Sequence, residues 1–218
     1  TFDYGLRGFE DTLRNLQSNG IATSGAGFSQ EEALKQWNTI LRGQQTSIIS
    51  IGAYPRENNG FDGGKQAAAG ENRPGILWNT QATIEALSKS FTENSFDIVM
   101  VHGGYEWSNE PDKSQVEFYR KLIDLGADLV VGSHPHVLQG IEAYQGRLIA
   151  YSLGNFLFPG MAETRFGQET VILSLGIYKG KVIYTDPIPV KIDNRTISID
   201  TSGMISKRLQ LLIKSVNQ

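Results

Sequence analysis

Leu6, Phe9, Leu13 and Leu16 recur at helical spacing, and Asn19-Gly20 supplies a stop, so the pattern predicts an amphipathic helix over 4–19. A short strand is expected near Ile21 to Thr23, followed by a capping box, Ser29-Gln30-Glu31-Glu32, that opens a brief helix through Gln36. Trp37 to Leu41 and Thr46 to Ala53 flank Arg42-Gly43-Gln44 and read as a hairpin. Residues 54–75 break the pattern with Gly, Asn, Pro and charge, a long loop of the kind that carries function. Beyond it Thr80 caps a helix through about Asn94, the apolar run Phe96 to Val101 predicts a buried strand, and Ser114 to Leu125, closed by Gly126, predicts another helix. A second apolar run over 128–132 completes a strand, helix, strand unit with a parallel pair. After Val137 the spacing changes to short strands and Gly turns: Ile141 to Tyr144, Arg147 to Leu153, Glu169 to Tyr178 and Lys181 to Val190. These predict an antiparallel meander, then a strand near Thr196 to Ile199 and a helix near Ile205 to Val216.

The element order is α/β, and 24.0 kDa with 39% hydrophobic residues suits one globular domain over 1–218. A net charge of −3 leaves no basic stripe, so nucleic acid is excluded as a partner and small-molecule or polymer substrates are favoured. Zero cysteines exclude disulfide frameworks, thiolate metal sites and cysteine nucleophiles, without fixing a compartment. No apolar run approaches the roughly 18 residues that span a bilayer. The chain opens at Thr1 with no strand ahead of the first helix, which reads as the middle of a longer protein.

Chemistry concentrates in the histidines. All three fall within a 35-residue window, His102 in V-H-G-G-Y-E-W and the pair His134 and His136 in V-V-G-S-H-P-H-V. Each motif follows an apolar run, so the imidazoles emerge at strand carboxyl ends, where α/β sheets build sites. Neutral imidazole is a common ligand for zinc, manganese and iron. Pro135 bends the chain and favours an extended His134, which lets both rings of the pair turn to one pocket. Gly103, Gly104 and Gly132 permit close backbone approach. Spacing alone supports a histidine-rich site, including a single zinc with an open position. Glu106 is the candidate catalytic residue, open to three readings: a further ligand, a partner that steadies a ligand, or a general base. Tyr105, Asn155 and Arg56 are candidate substrate contacts.

At these residues the chain resembles the poly-γ-glutamate capsule biosynthesis proteins, CapA/PgsA-like, a branch of the calcineurin-like metallophosphoesterase superfamily. Gly132-Ser133-His134-Pro135-His136-Val137 is similar to the superfamily's G-H-x-H element, and Tyr151-Ser152-Leu153-Gly154-Asn155-Phe156 matches the family's Y-S-L-G-N-F continuation. His102 to Glu106 resembles its H-W-G-x-E, with Gly103 in place of tryptophan. The resemblance covers most of 1–158. It implies an α/β/β/α sandwich with mixed sheets, and His102, His134 and His136 as ligands in a site of two divalent ions (Mn, Fe or Zn) roughly 3.5 to 4 Å apart. Asp3-Tyr4-Gly5 matches a segment that in the family trails an N-N-H element, so the first strands, their aspartates and that histidine are expected ahead of Thr1, and this fragment alone is expected to be inactive.

The functional expectation is a metal-dependent phosphoesterase-like protein of poly-γ-glutamate or capsule synthesis, acting on an anionic small-molecule or polymer substrate. The competing expectation is a non-catalytic accessory of a capsule polymer synthesis or export complex. Capsule synthase membrane subunits are the implied partners, and the implied location is extracellular or cell-surface, through an anchor upstream of Thr1.

Overall fold

The computed structural model describes every residue except 1, 3, 58, 159–163, 165, 194 and 218, so Thr1 and Asp3 of the opening segment lie outside the described residues. The chain is a mixed α/β protein whose residues 1–102 and 103–218 form two compact units.

In the first unit, helix α1 (Gly5–Ser18) buries Leu13 and ends where Ile21 N–H returns to the Leu16 carbonyl at 2.9 Å. The strand expected at 21–23 does not form. That tripeptide lies between Gly20 and Gly25, both at positive φ, and the Ser24 hydroxyl donates to the Ile48 carbonyl (2.8 Å), so the run is too short to hold a ladder. The first bridge is β1 (Ala26–Gly27), antiparallel to β4 (Gly75–Ile76). Ser29 caps α2 (Gln30–Ala33) as expected, but the helix ends three residues early because Trp37 enters β2.

Strands β2 (Trp37–Leu41) and β3 (Gln44–Ala53) form the expected hairpin, and Arg42 and Gly43 both take positive φ, the type I′ geometry that follows strand twist. On its other side β3 neighbours β5 (Phe96–Gly103). Within the long loop, Asp62 caps a single turn, α3 (Gly63–Gln66). Thr80 caps α4 (Gln81–Leu87), which stops well before Asn94; the Ser88 and Ser90 hydroxyls bond back to the carbonyls of Glu85 and Leu87 and compete with helix continuation. Strand β5 is not buried throughout, as the apolar run suggested. It alternates, with Val99 and Val101 inward and Met100 41% exposed, and so carries His102 on its open face. Asp97 in the same strand is buried, accepting from the Ser47 and Ser95 hydroxyls and from Thr92 N–H (2.9 Å).

In the second unit, Asp112 caps α5 (Lys113–Asp124). Strand β6 (Leu129–Ser133) pairs in parallel with β8 (Arg147–Ala150), which pairs antiparallel with β7 (Ile141–Tyr144), a mixed pattern. Gly132 in β6 is required by close approach, since a Cβ there would lie 2.0 Å from the Tyr151 carbonyl oxygen. The predicted meander divides. Strands β9 (Glu169–Tyr178), β10 (Lys181–Asp193) and β11 (Thr196–Ile199) form their own antiparallel sheet, tied back through a bridge of Gly154 with Thr170. Pro187 and Pro189 in β10 are tolerated because β11 pairs only with 190–193. Helix α6 (Met204–Val216) closes a core of Leu138, Ile141, Ala150, Val171, Ile205 and Leu209. Among the described residues no helix is long and apolar enough to cross a membrane.

Candidate functional site

His102 and Arg56 belong to the first unit. The His102 ring stands edge-on to buried Tyr54 (centroids 5.5 Å, 88°), which stands edge-on to Trp78 (4.8 Å, 82°), so Trp78 is a packing residue beneath that imidazole. Arg56 is exposed, and its Nε donates to the Gly60 carbonyl at 3.1 Å, within its own loop.

In the second unit His136 meets Asn155 and faces Glu106, with His134 next to it. His134 follows β6 directly and is buried, with φ at +106°, and His136 has φ at +59°. The extended His134 expected from Pro135 is therefore not found. Proline excludes the right-handed helical region for its predecessor, and here the chain escapes it on the left-handed side. Trp107 also takes positive φ (+64°), uncommon for a bulky side chain, and its N–H donates to the Pro135 carbonyl at 2.8 Å. Three non-glycine residues at positive φ thus meet across one hydrogen bond, a concentration of strain typical of functional loops.

That bond seats the Trp107 indole on the His136 ring (5.3 Å, 24°), while Phe158 meets the ring edge-on (5.7 Å, 66°) and His134 lies 6.3 Å away between centroids. His136 Nδ1 is 2.7 Å from Asn155 Oδ1; Asn155 Nδ2 donates to the carbonyls of His136 (3.1 Å) and Gly167 (3.0 Å). His136 Nε2 faces Glu106 Oε1 at 3.9 Å. That exceeds hydrogen-bond reach and is the span that a water or cation bridges. Tyr105, next to Glu106, is 53% exposed.

Beneath this surface runs a buried polar network. Gln139 Nε2 holds the Ser108 carbonyl (2.9 Å) and Asn109 Nδ2 the Leu138 carbonyl (3.2 Å), which fix the 105–109 loop against the chain after His136. Gln115 Nε2 donates to Gln139 Oε1 (2.9 Å) and the Tyr151 carbonyl (3.2 Å). The Tyr151 hydroxyl donates to Glu142 Oε2 (2.6 Å), and the Arg120 guanidinium grips the same carboxylate through Nε and Nη2. Burial, reinforced by the Glu142 bond, pushes the Tyr151 phenol far up, and burial does the same to Tyr119, whose ring stacks on Tyr151 at 5.4 Å. The Glu142 hydrogen bond likewise raises Arg120.

Sequence reasoning singled out His134, His136, Glu106 and Asn155, did not foresee Trp107 as the stacking partner, and assigned no role to Gln115, Gln139 or Glu142. The available signal was polar residues interrupting apolar stretches, Gln139 and Glu142 within V-L-Q-G-I-E above all. The donor set is nitrogen and oxygen, suited to a borderline divalent cation, and His136 with Glu106 offers a facing pair. Among the described residues no three His, Cys, Asp or Glu side chains come together as a ligand group.

Comparison with known proteins follows the same residues. The chain is 36% identical over 165 residues to the PGA biosynthesis protein CapA of Bacillus subtilis strain 168, covering 75% of this chain and 42% of that protein. It is 27% identical over 213 residues to the capsule biosynthesis protein CapA of Bacillus anthracis, covering 95% and 49%. The chain thus spans about half the length of these relatives. The model of the bacterial capsule synthesis protein family, PGA_cap, matches residues 1–160, from α1 through β5 and the H-P-H turn to S-L-G-N-F, and the chain belongs to that family.

Proposed function

We propose that the protein works in the synthesis of a capsule polymer of the poly-γ-glutamate class, and that its histidine site is a phosphoesterase-like centre for divalent metal. The relatives' names, a PGA biosynthesis protein and a capsule biosynthesis protein, support the first part. The observation that carries the second is the pairing of His136 Nε2 with the Glu106 carboxylate across 3.9 Å, in a loop held by strain and stacking.

In this reading His136 and Glu106 hold the cation, with His134 beside His136 in the same turn. Bound manganese, iron or zinc supplies Lewis-acid polarisation of a phosphoryl oxygen. The chain's own residues do the rest. Asn155 and Trp107 orient His136, and Phe158 packs against the edge of its ring. The substrate is anionic, and the cell surface, where a capsule is laid down, is the proposed place of work.

The test uses the full-length protein loaded with manganese or zinc and offered a chromogenic phosphodiester and phosphomonoester. Bound metal and hydrolysis are expected, with turnover falling at least about 100-fold in both His134→Ala and His136→Ala. Absence of bound metal together with histidine-independent turnover, or with none, overturns the reading.

A further inference from the structure

We infer that Asn155 sets the tautomer of His136, keeping the proton on Nδ1 and presenting an unprotonated Nε2 toward Glu106. A carboxamide has a donor end and an acceptor end, and the end that meets the ring decides which nitrogen carries the proton. For Asn155 the choice is forced by two other contacts. One end of its amide lies 3.1 Å from the His136 carbonyl oxygen and 3.0 Å from that of Gly167, both acceptors only. That end must be the NH2 group, because the flipped amide would set its own oxygen against two carbonyl oxygens. The oxygen therefore faces His136 Nδ1 at 2.7 Å and accepts from it.

Neutral imidazole carries one N–H, so Nε2 holds the lone pair. Burial of Asn155, 6% exposed, keeps water from competing for either end, and Trp107 against the ring face with Phe158 at its edge opposes rotation. The result is opposite to free histidine, in which the Nε2–H tautomer predominates. It leaves the Nε2 lone pair facing the Glu106 carboxylate, two acceptors across 3.9 Å, an arrangement completed by a cation or a donor water. The tautomer follows from the metal-free geometry alone; its use as a means of positioning a metal ligand rests on the proposed function.

The sequence holds three histidines, so ring spectra are simple. In the metal-stripped chain labelled with 15N-histidine at about pH 9, above the ordinary imidazole value of about 6.5, long-range 1H–15N correlations report which nitrogen is protonated, and His136→Gln assigns the ring. Protonated Nδ1 and bare Nε2 are expected. Asn155→Ala is expected to return the ring to mostly Nε2–H. An Nε2–H ring in the unsubstituted chain overturns the inference, as does an unchanged tautomer in Asn155→Ala; should the alanine variant not fold, the tautomer of the unsubstituted chain decides. A zinc titration of the full-length protein separates the two readings. Weakening of about 10- to 100-fold in Asn155→Ala joins them, while no zinc binding with the Nδ1–H tautomer intact removes the metal site and leaves the positioning role.

Discussion

Glu142 and Glu106 lie in the same unit, yet Glu142 is buried with both oxygens held by Arg120 and Tyr151, whereas Glu106 keeps 47% of its side-chain surface in solvent and meets His136 only at 3.9 Å. A buried carboxylate is tolerated only when its lone pairs are taken up, and once they are, nothing is left for a ligand. The exposed carboxylate is the reverse, little used by the fold and open to chemistry. The network around Glu142 supports the chain on which Glu106 and His136 stand, through Tyr151, Gln115, Gln139 and the Ser108 carbonyl.

The hardest test of the contrast is Glu142→Ala. It strands the buried Tyr151 hydroxyl and leaves Arg120 without its partner, so a loss of about 3 kcal/mol in chemical denaturation is expected. A loss below about 1 kcal/mol would place Glu142 beside Glu106 and erase the distinction.

Alkaline pH attacks the same network from the other side. Burial raises the phenols of Tyr119 and Tyr151 in the folded chain, with the Glu142 bond adding to the shift at Tyr151, so both stay neutral where an unfolded chain ionises. Their contribution is fully present below about pH 10 and is lost as the pH rises above it, at about 1.4 kcal/mol per pH unit for fully buried Tyr119. Stability should fall from about pH 10 to 11, less steeply in Tyr119→Phe, where Tyr151 alone still contributes; a flat profile in the unsubstituted chain would show the phenols to be wet.

Gln139→Ala removes the side-chain bond to the Ser108 carbonyl and the acceptor of buried Gln115 Nε2, and about 2 kcal/mol of stability should go with them. The sharper reading is hydrogen exchange. Amide protection at Trp107 is expected to drop while protection in β6 holds, and equal loss in both would show a general rather than a loop-directed role.

The local elements were legible in the sequence wherever period and turn chemistry agreed, as in α1, the Arg42-Gly43 hairpin and the strands ahead of the histidines. The misses have two causes: serine hydroxyls bonding three residues back ended α4 early, and the parallel pairing of β8 with β6 drew β7 and β8 into a sheet separate from β9 to β11. In the site, residue identity announced His134, His136 and Glu106. Gln139 stood out only as a polar residue in an apolar stretch and Gln115 not at all, because a glutamine shows its partner only after the chain has folded. Asn155 stood in a recognisable motif, but its task depends on the Gly167 and His136 carbonyls, which no spacing places together in advance.

Glu106→Gln carries the smallest expected effect on the fold and the sharpest claim about the site. The change keeps the shape and removes the charge of a side chain that the fold does not use, so denaturation should move by less than about 0.5 kcal/mol. Manganese affinity of the full-length protein should nonetheless weaken about 10-fold or more, since an amide is a poorer partner than a carboxylate for a hard cation across from Nε2. Destabilisation on the scale of Glu142→Ala would mean that Glu106 belongs to the supporting network after all. Unchanged affinity with unchanged stability would leave His136 without the carboxylate partner assigned to it, and the comparison would then separate a structural glutamate from an ordinary solvated one.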